Sequence, residues 1–231
     1  MTGHREIAFD TETTGFHARG DDRITEIGCV ELIDLIPSGK TWHSYINPER
    51  DIPEKVTEIT GLTTEFLKDK PLFADIAEDF REFIGDSPLV AHNASFDRGF
   101  INAELERADY EPIHHSLFID TLEIARAKFP GASNTLDALC KRFEISLATR
   151  STHGALVDAQ LLAQVYLELN GGRARTLDLE AGKKAVDIVT QAVTARPRKL
   201  PPRLNEAERA AHEEFIREAL GDQALWLREK P

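Results

Sequence analysis

The chain is expected to fold as an α/β domain, a mixed sheet flanked by helices, followed by a linker and a short C-terminal helical docking segment. Three observations predict this. Residues up to about 46 form strand-like runs separated by turn signals. Residues 74–169 alternate short apolar strands with helical patterns, and beyond Gly172 the apolar pattern thins out.

Taken in order, the first strand surrounds Ile7 and Phe9. Alternate side chains of a strand share a face, so Asp10 and Glu12 point the same way. Ile24 to Ile33 and Thr41 to Ile46 read as a hairpin joined through Pro37-Ser38-Gly39-Lys40, completing an antiparallel half-sheet. Ile76, Phe80, Phe83 and Ile84 recur at helical spacing and predict a helix over 74–84. Leu89-Val90-Ala91 is a short buried strand whose end delivers His92-Asn93-Ala94-Ser95-Phe96-Asp97, and a helix is expected from Asp97 through Glu106. A strand at Leu117-Phe118-Ile119 follows, then helices from Thr121 to Lys128 and Leu136 to Phe143. The last helix of the domain runs from about Ala155 to Leu169 and is stopped by Asn170-Gly171-Gly172.

With 231 residues the chain holds one sizeable core plus an appendage. No stretch approaches the roughly 18 apolar residues of a membrane span, and the polar start Met1-Thr2-Gly3-His4-Arg5-Glu6 is not a signal peptide, so a cytoplasmic protein with no membrane partner is expected. Cys29 and Cys140 form no CxxC pair and read as buried reduced thiols. The net charge is −12, unevenly spread: residues 171–231 hold 12 Lys or Arg against 10 Asp or Glu, near +2, which leaves −14 on residues 1–170. Such a domain gains little from sequence-independent attraction to nucleic acid, so a partner that holds and presents the polymer is expected.

Chemistry concentrates in three blocks: Phe9-Asp10-Thr11-Glu12-Thr13-Thr14-Gly15, His92 to Asp97, and His153-Gly154-Ala155-Leu156-Val157-Asp158. Carboxylates side by side on a strand repel unless a cation lies between them. Hard oxygen donors without a Cys suit Mg²⁺ or Mn²⁺ better than zinc. Taken singly each acid is most often a solvated surface group; their joint occurrence in order is the signal. His153 precedes Asp158 by five residues, about 140° on a helix, so both cannot share a helical face and His153 belongs on the loop before it. Gly154 leaves the chain room to bend there. By contrast, His92 reads as a hydrogen-bonded structural histidine, His114 and His115 as a loop pair, and Asp120 and Asp137 as helix-start residues.

These motifs resemble the DEDD 3′→5′ exonucleases, in the subgroup with a histidine five positions before the last aspartate. The resemblance runs from about Arg5 to Asn170 and includes Val56-Thr57-Glu58-Ile59-Thr60-Gly61-Leu62 and Asn134-Thr135-Leu136-Asp137-Ala138-Leu139-Cys140. Within the family the chain looks most like the proofreading subunits of bacterial replicative DNA polymerases. The resemblance implies a ribonuclease H-like sheet and two divalent metal ions, Mg²⁺ or Mn²⁺. Asp10, Glu12, Asp97 and Asp158 would be the metal ligands and His153 the general base. It also implies substrate contacts from Asp10, Thr11, Glu12, Phe16, Glu54, Ile59, Thr60, Phe96 and Asp158, with the Thr11 N–H reaching the terminal nucleotide and Phe16, Ile59 and Phe96 packing on bases or parting the last two.

The organisation expected is an exonuclease domain over 1–172, a linker over 173–203 and a polymerase-docking segment over 204–231. Ala185, Ile188, Val189 and Ala192 would line a short helix in the linker, before the basic, proline-rich Arg196 to Arg203. Asn205 and Glu208 form a capping pair for a helix with an Ala211, Phe215 and Ala219 stripe, ahead of the apolar Ala224-Leu225-Trp226-Leu227. Family relatives bind a sliding clamp through a glutamine-led motif; Gly172 to Leu179 here lacks the glutamine but offers Leu177 and Leu179. The function expected is proofreading at a DNA 3′ end, with release of 5′-mononucleotides. Two alternatives stay open: an RNA-trimming or stand-alone exonuclease, and a structural polymerase subunit with an idle nuclease.

Overall fold

The computed structural model describes residues 3–148, 153–172 and 205–220. Contacts divide the chain into two units, residues 1–182 and 183–231. In the first, a five-stranded sheet has the order β3-β2-β1-β4-β5. Strands β1 (Arg5–Thr13), β2 (Ile24–Ile33) and β3 (Ile36–Tyr45) are antiparallel neighbours, while β4 (Leu89–Ala91) and β5 (Phe118–Asp120) extend the sheet in parallel with β1.

The central strand alternates between two cores, as its sequence requires. Ile7 and Phe9 face α3 (Phe73–Ile84) and α4 (Ala94–Arg107), packing with Phe73, Phe80, Phe100, Ile101 and Leu105. Ala8 faces the other way, joining Val30, Leu32 and Val90 against Leu162, Ala163 and Tyr166 of α7 (Ala155–Leu169). Helices α5 (Thr121–Lys128) and α6 (Leu136–Arg142) extend this second layer through Ala125, Leu139 and Cys140. Each fully buried Phe or Leu contributes about 1.5–3 kcal/mol, so the two faces together hold the sheet between helical layers. Cys29 and Cys140 are buried free thiols, as expected.

Several boundaries differ from the sequence reading. The hairpin turns at Asp34-Leu35, with φ of 51° and 72°, not at Pro37 to Lys40, and β3 starts at Ile36. His4 explains the shift: its N–H donates to Asp34 Oδ1 at 2.9 Å and its carbonyl accepts from the Asp34 N–H at 2.9 Å, fixing a turn that lacks the usual Asn-Gly signal. Pro37 is tolerated because β3 is an edge strand. Helix α4 starts at Ala94, three residues before the expected Asp97, because Asn93 takes the left-handed conformation at φ 69° and its N–H is held by Asp120 Oδ1 at 3.0 Å. Two short helices, α1 (Glu54–Thr60) and α2 (Thr64–Leu67), occupy the segment after β3. The strand expected at Leu117 begins at Phe118, after a 3-10 turn over His115–Leu117.

One glycine sets the position of α7. An ideal Cβ on Gly28 would lie 2.2 Å from the Leu156 amide nitrogen and 2.3 Å from its Cα, so the first turn of α7 rests on bare backbone of β2. Gly28 pairs with Asp10 in the β1–β2 register. In the second unit, α8 (Glu206–Leu220) begins as its sequence predicts: the Glu208 N–H donates to Asn205 Oδ1 at 2.8 Å and the Asn205 N–H donates to Glu208 Oε2 at 3.0 Å. The expected linker helix and the Ala224 to Leu227 tail lie outside the described residues. Among the described residues no helix is long and apolar enough to cross a membrane.

Gly28→Ala should destabilise the domain by at least about 1–3 kcal/mol, since backbone and not a movable side chain meets the added methyl. Chemical denaturation measures it; an unchanged midpoint would mean α7 does not depend on that approach.

Candidate active site

Because β1, β4 and β5 are parallel, their C-terminal ends open on one side of the sheet, where α/β folds place their sites. The end of β1 carries Asp10 and Glu12 on the α7 face. Asp97 lies in the first turn of α4, which follows β4 directly, and Asp158 lies in the first turn of α7. Four acids from three segments thereby approach one region.

Glu12, His153 and Asp158 converge most closely: one ligand atom from each lies within 4.8 Å of the others. His153 Nδ1 is 3.3 Å from Asp158 Oδ2. As expected, His153 stands on the loop before α7, and its N–H donates to the Ile59 carbonyl at 3.3 Å, tying that loop to α1. Its side chain is 48% exposed while that of Asp158 is buried at 5%. Asp10 shares the face of Glu12 by strand alternation and is the register partner of Gly28, on which the start of α7 rests.

Asp97 reaches the group through Thr11. Its Oδ1 accepts from the Thr11 hydroxyl at 2.7 Å and the Thr11 N–H at 3.1 Å. The Thr11 amide, expected at the terminal nucleotide, is here engaged by a buried carboxylate, and the Thr11 side chain points away from Asp10 and Glu12 as strand alternation demands. Burial drives the Asp97 carboxyl up to about 7, against the lowering pull of the Thr11 hydroxyl, the local N–H groups and the Thr11 amide, with Asp120 adding repulsion.

The other expected contacts separate into two groups. Phe16 is 84% exposed, its ring 6.3 Å from that of Phe96, which packs in turn on Phe100 at 5.0 Å. Ile59 is 46% exposed, and Glu54 is exposed at the start of α1. Thr60 is buried instead, its hydroxyl donating to the Val56 carbonyl at 3.0 Å and accepting from the Leu62 N–H at 3.1 Å. A threonine at a helix end turns back to its own backbone in this way, so the hydroxyl of Thr60 is engaged structurally here. His92 Nδ1 lies 2.9 Å from the Thr121 hydroxyl and Asp120 caps α5, both structural as read; His114 and His115 stack in an exposed turn.

Two buried residues beside the site were missed. Glu26 is directly across from Glu12 on the same face, and His43 Nε2 lies 2.7 Å from its Oε1. A charged residue among the apolar positions of Ile24 to Ile33 was its signal. For Gly28 the signal was a lone glycine inside a strand, which marks close backbone approach.

The donor set fits hard divalent cations. It offers carboxylate oxygens and one imidazole nitrogen at the end of the central strand, the donor types that such ions take.

A mixed five-strand sheet with acids at the end of its central strand defines an exonuclease of the ribonuclease H-like class. The exonuclease family model, RNase_T, matches residues 7–166. The chain is 46% identical over 224 residues to the DNA polymerase III subunit epsilon of Rickettsia felis, covering 94% of this chain and 97% of that one. It is 38% identical over 235 aligned residues to the subunit of the same name from Salmonella typhimurium, covering 96% and 97%. Among solved structures, Exonuclease X in complex with 5′ overhanging duplex DNA superposes with a TM-score of 0.58 at 28% identity, over 72% of this chain and 90% of that one. The chain belongs to this exonuclease family. Its activity is that of a proofreading 3′→5′ exonuclease, and the relatives it matches along almost their whole length are DNA polymerase III epsilon subunits.

Asp97 also predicts a pH dependence. A carboxyl whose folded pKa lies above its unfolded value favours folding fully below the unfolded value, near 4, and loses that contribution as pH rises through about 7. In a chelator, Asp97→Asn should therefore melt higher than the parent at pH 7.5, by roughly 3 °C or more, and flatten the decline from pH 5 to 8. A variant melting lower throughout would contradict this burial cost.

Proposed function

We propose that the chain excises mispaired nucleotides from DNA 3′ ends as the proofreading subunit of a bacterial replicative polymerase, releasing 5′-mononucleotides in a reaction assisted by two divalent ions. The observation that carries the reading is the convergence of Glu12, His153 and Asp158 beside Asp10, with Asp97 held under Thr11. Asp10, Glu12, Asp97 and Asp158 would be the residues that hold the ions. Mg²⁺ and Mn²⁺ both suit these donors. When bound, such ions provide a hydroxide-like nucleophile at neutral pH and stabilise charge on the departing 3′ oxygen.

The protein's own groups do the rest. His153, half-exposed on its loop and within reach of Asp158, takes the proton of the attacking water. The exposed side chains of Phe16 and Ile59, with the partly buried ring of Phe96, give the terminal bases surfaces to stack on and part against. A mispaired end melts at lower cost, which favours its entry.

The −14 charge on residues 1–170 supports a partner that delivers the end. The matched relatives are named as DNA polymerase III subunits, so the partner proposed is the polymerase catalytic subunit in the cytoplasm, docked through residues 204–231, which include α8. A sliding-clamp contact through residues 173–179 is a weaker proposal, tested by pull-down with purified clamp.

The test is mononucleotide release from matched DNA, 3′-mispaired DNA and RNA primers with Mg²⁺ or Mn²⁺. Release should favour the mispaired DNA end and vanish in Asp10→Ala. His153→Ala should cut the rate by about 10²- to 10⁴-fold with metal binding retained. Preference for RNA, or full turnover in Asp10→Ala, would contradict the proposal. Deleting residues 204–231 should abolish polymerase binding and leave hydrolysis in place, as measured by gel filtration with the catalytic subunit; retained binding would move the dock elsewhere.

A further inference from the structure

The loop from Thr14 to Arg23 joins β1 to β2 and lifts Phe16 into solvent. A ring 84% exposed is not held in place by burial, and its edge contact with Phe96 is a single one. A group that parts two stacked bases must nevertheless hold its position against them. The loop's hydrogen bonds answer this requirement, and three of them converge on the Asp22 carboxylate.

Asp22 Oδ1 accepts from the Thr14 hydroxyl at 3.1 Å and from Arg50 Nη1 at 2.9 Å, while Oδ2 accepts from the His17 N–H at 3.0 Å. Its carboxylate lies so close under Gly15 that an ideal Cβ there would fall 2.4 Å from Oδ2. Partial burial acts to raise its pKa, yet the bonds from His17 and Thr14 and the Arg50 charge hold the carboxyl below the usual range, so it stays ionised and accepting. The base of the loop is closed by Thr14 and Arg23: the Thr14 N–H donates to the Arg23 carbonyl at 2.9 Å, and the Arg23 N–H donates to the Thr14 hydroxyl at 3.0 Å. Its far side is tied to α4, where Arg107 Nη2 donates to the Ala18 and Gly20 carbonyls at 3.0 Å each. Arg107 and Arg23 are both fixed by the buried carboxylate of Glu104, at 3.2 Å and 2.7 Å.

We propose that Asp22 is a positioning residue for strand separation: it braces the residues on either side of Phe16 so that the ring acts as a rigid wedge at a paired DNA end. The proposal rests on reading Phe16 as the group that parts the terminal bases. Asp22 touches neither the acids nor His153 in its hydrogen bonds, so its contribution is confined to substrates that must be melted. A single strand needs no wedge, a mispaired end needs little, and a matched end needs most.

The experiment compares kcat/KM on single-stranded DNA, mispaired ends and matched ends for the full chain. Asp22→Ala should keep single-strand hydrolysis within about twofold while matched-end hydrolysis falls by roughly fivefold or more, the scale of one lost specific contact. Arg107→Ala, which loosens the loop from its other side, should shift the same ratio in the same direction. Phe16→Ala should reproduce the shift, and adding Asp22→Ala to it should change the ratio no further, because residues that act through one group are not additive. Equal losses on all three substrates in Asp22→Ala would assign it a general folding role and overturn the proposal, as would additive effects in the double variant. If Phe16→Ala leaves the ratio unchanged, the wedge reading itself fails; if Phe16→Ala shifts it and Asp22→Ala does not, only the brace fails.

Discussion

The first turn of α7 lies directly on the backbone of Gly28, and that contact decides where Asp158 and His153 fall. Everything catalytic depends on it. Gly28 is the register partner of Asp10, so the helix is brought down opposite the acid-bearing end of β1 and nowhere else along the sheet. The remaining packing of α7, through Leu162, Ala163 and Tyr166 against Ala8, Val30 and Leu32, supplies the burial that holds this placement. A helix lifted by one methyl group would still cover an apolar face. It would no longer set Asp158 within reach of Glu12.

That arrangement is unfavourable on its own terms. Glu12, Glu26 and Asp158 crowd one face, and Asp97 is buried with its carboxyl raised to about 7. His43 relieves Glu26 and Thr11 relieves Asp97, each by direct hydrogen bonds. Local charge conflict of this kind marks a functional site more often than a purely structural one. The same acidity offers the domain little sequence-independent attraction to DNA, which is consistent with the partner proposed above.

Much of this was legible in the sequence because the relevant signals were local. Strand alternation put Asp10 and Glu12 on one face, the five-residue offset put His153 on a loop, and the Asn205 and Glu208 pair marked the start of α8. What escaped was set by tertiary contact. The Asp34-Leu35 turn is held by His4, just before β1, and Asn93 is bent left-handed by Asp120 from β5, so neither boundary has a signal in its own neighbourhood. Helix α1 opens at Pro53 with no side-chain cap and α2 is a single turn, too short for periodicity to show. Thr11 was placed correctly on its strand, but its partner Asp97 arrives from a helix far along the chain.

The central claim is that the acids gathered at the end of β1 form a site for divalent ions. The most direct measurement is the number of Mn²⁺ ions bound per chain at neutral pH, by calorimetry or electron paramagnetic resonance, in the parent protein and in Glu12→Ala and Asp158→Ala. Two ions per chain, with binding weakened in each variant and with Gly28→Ala showing the same weakening, is the result expected. Binding that is absent in the parent, or indifferent to Glu12 and Asp158, would contradict it.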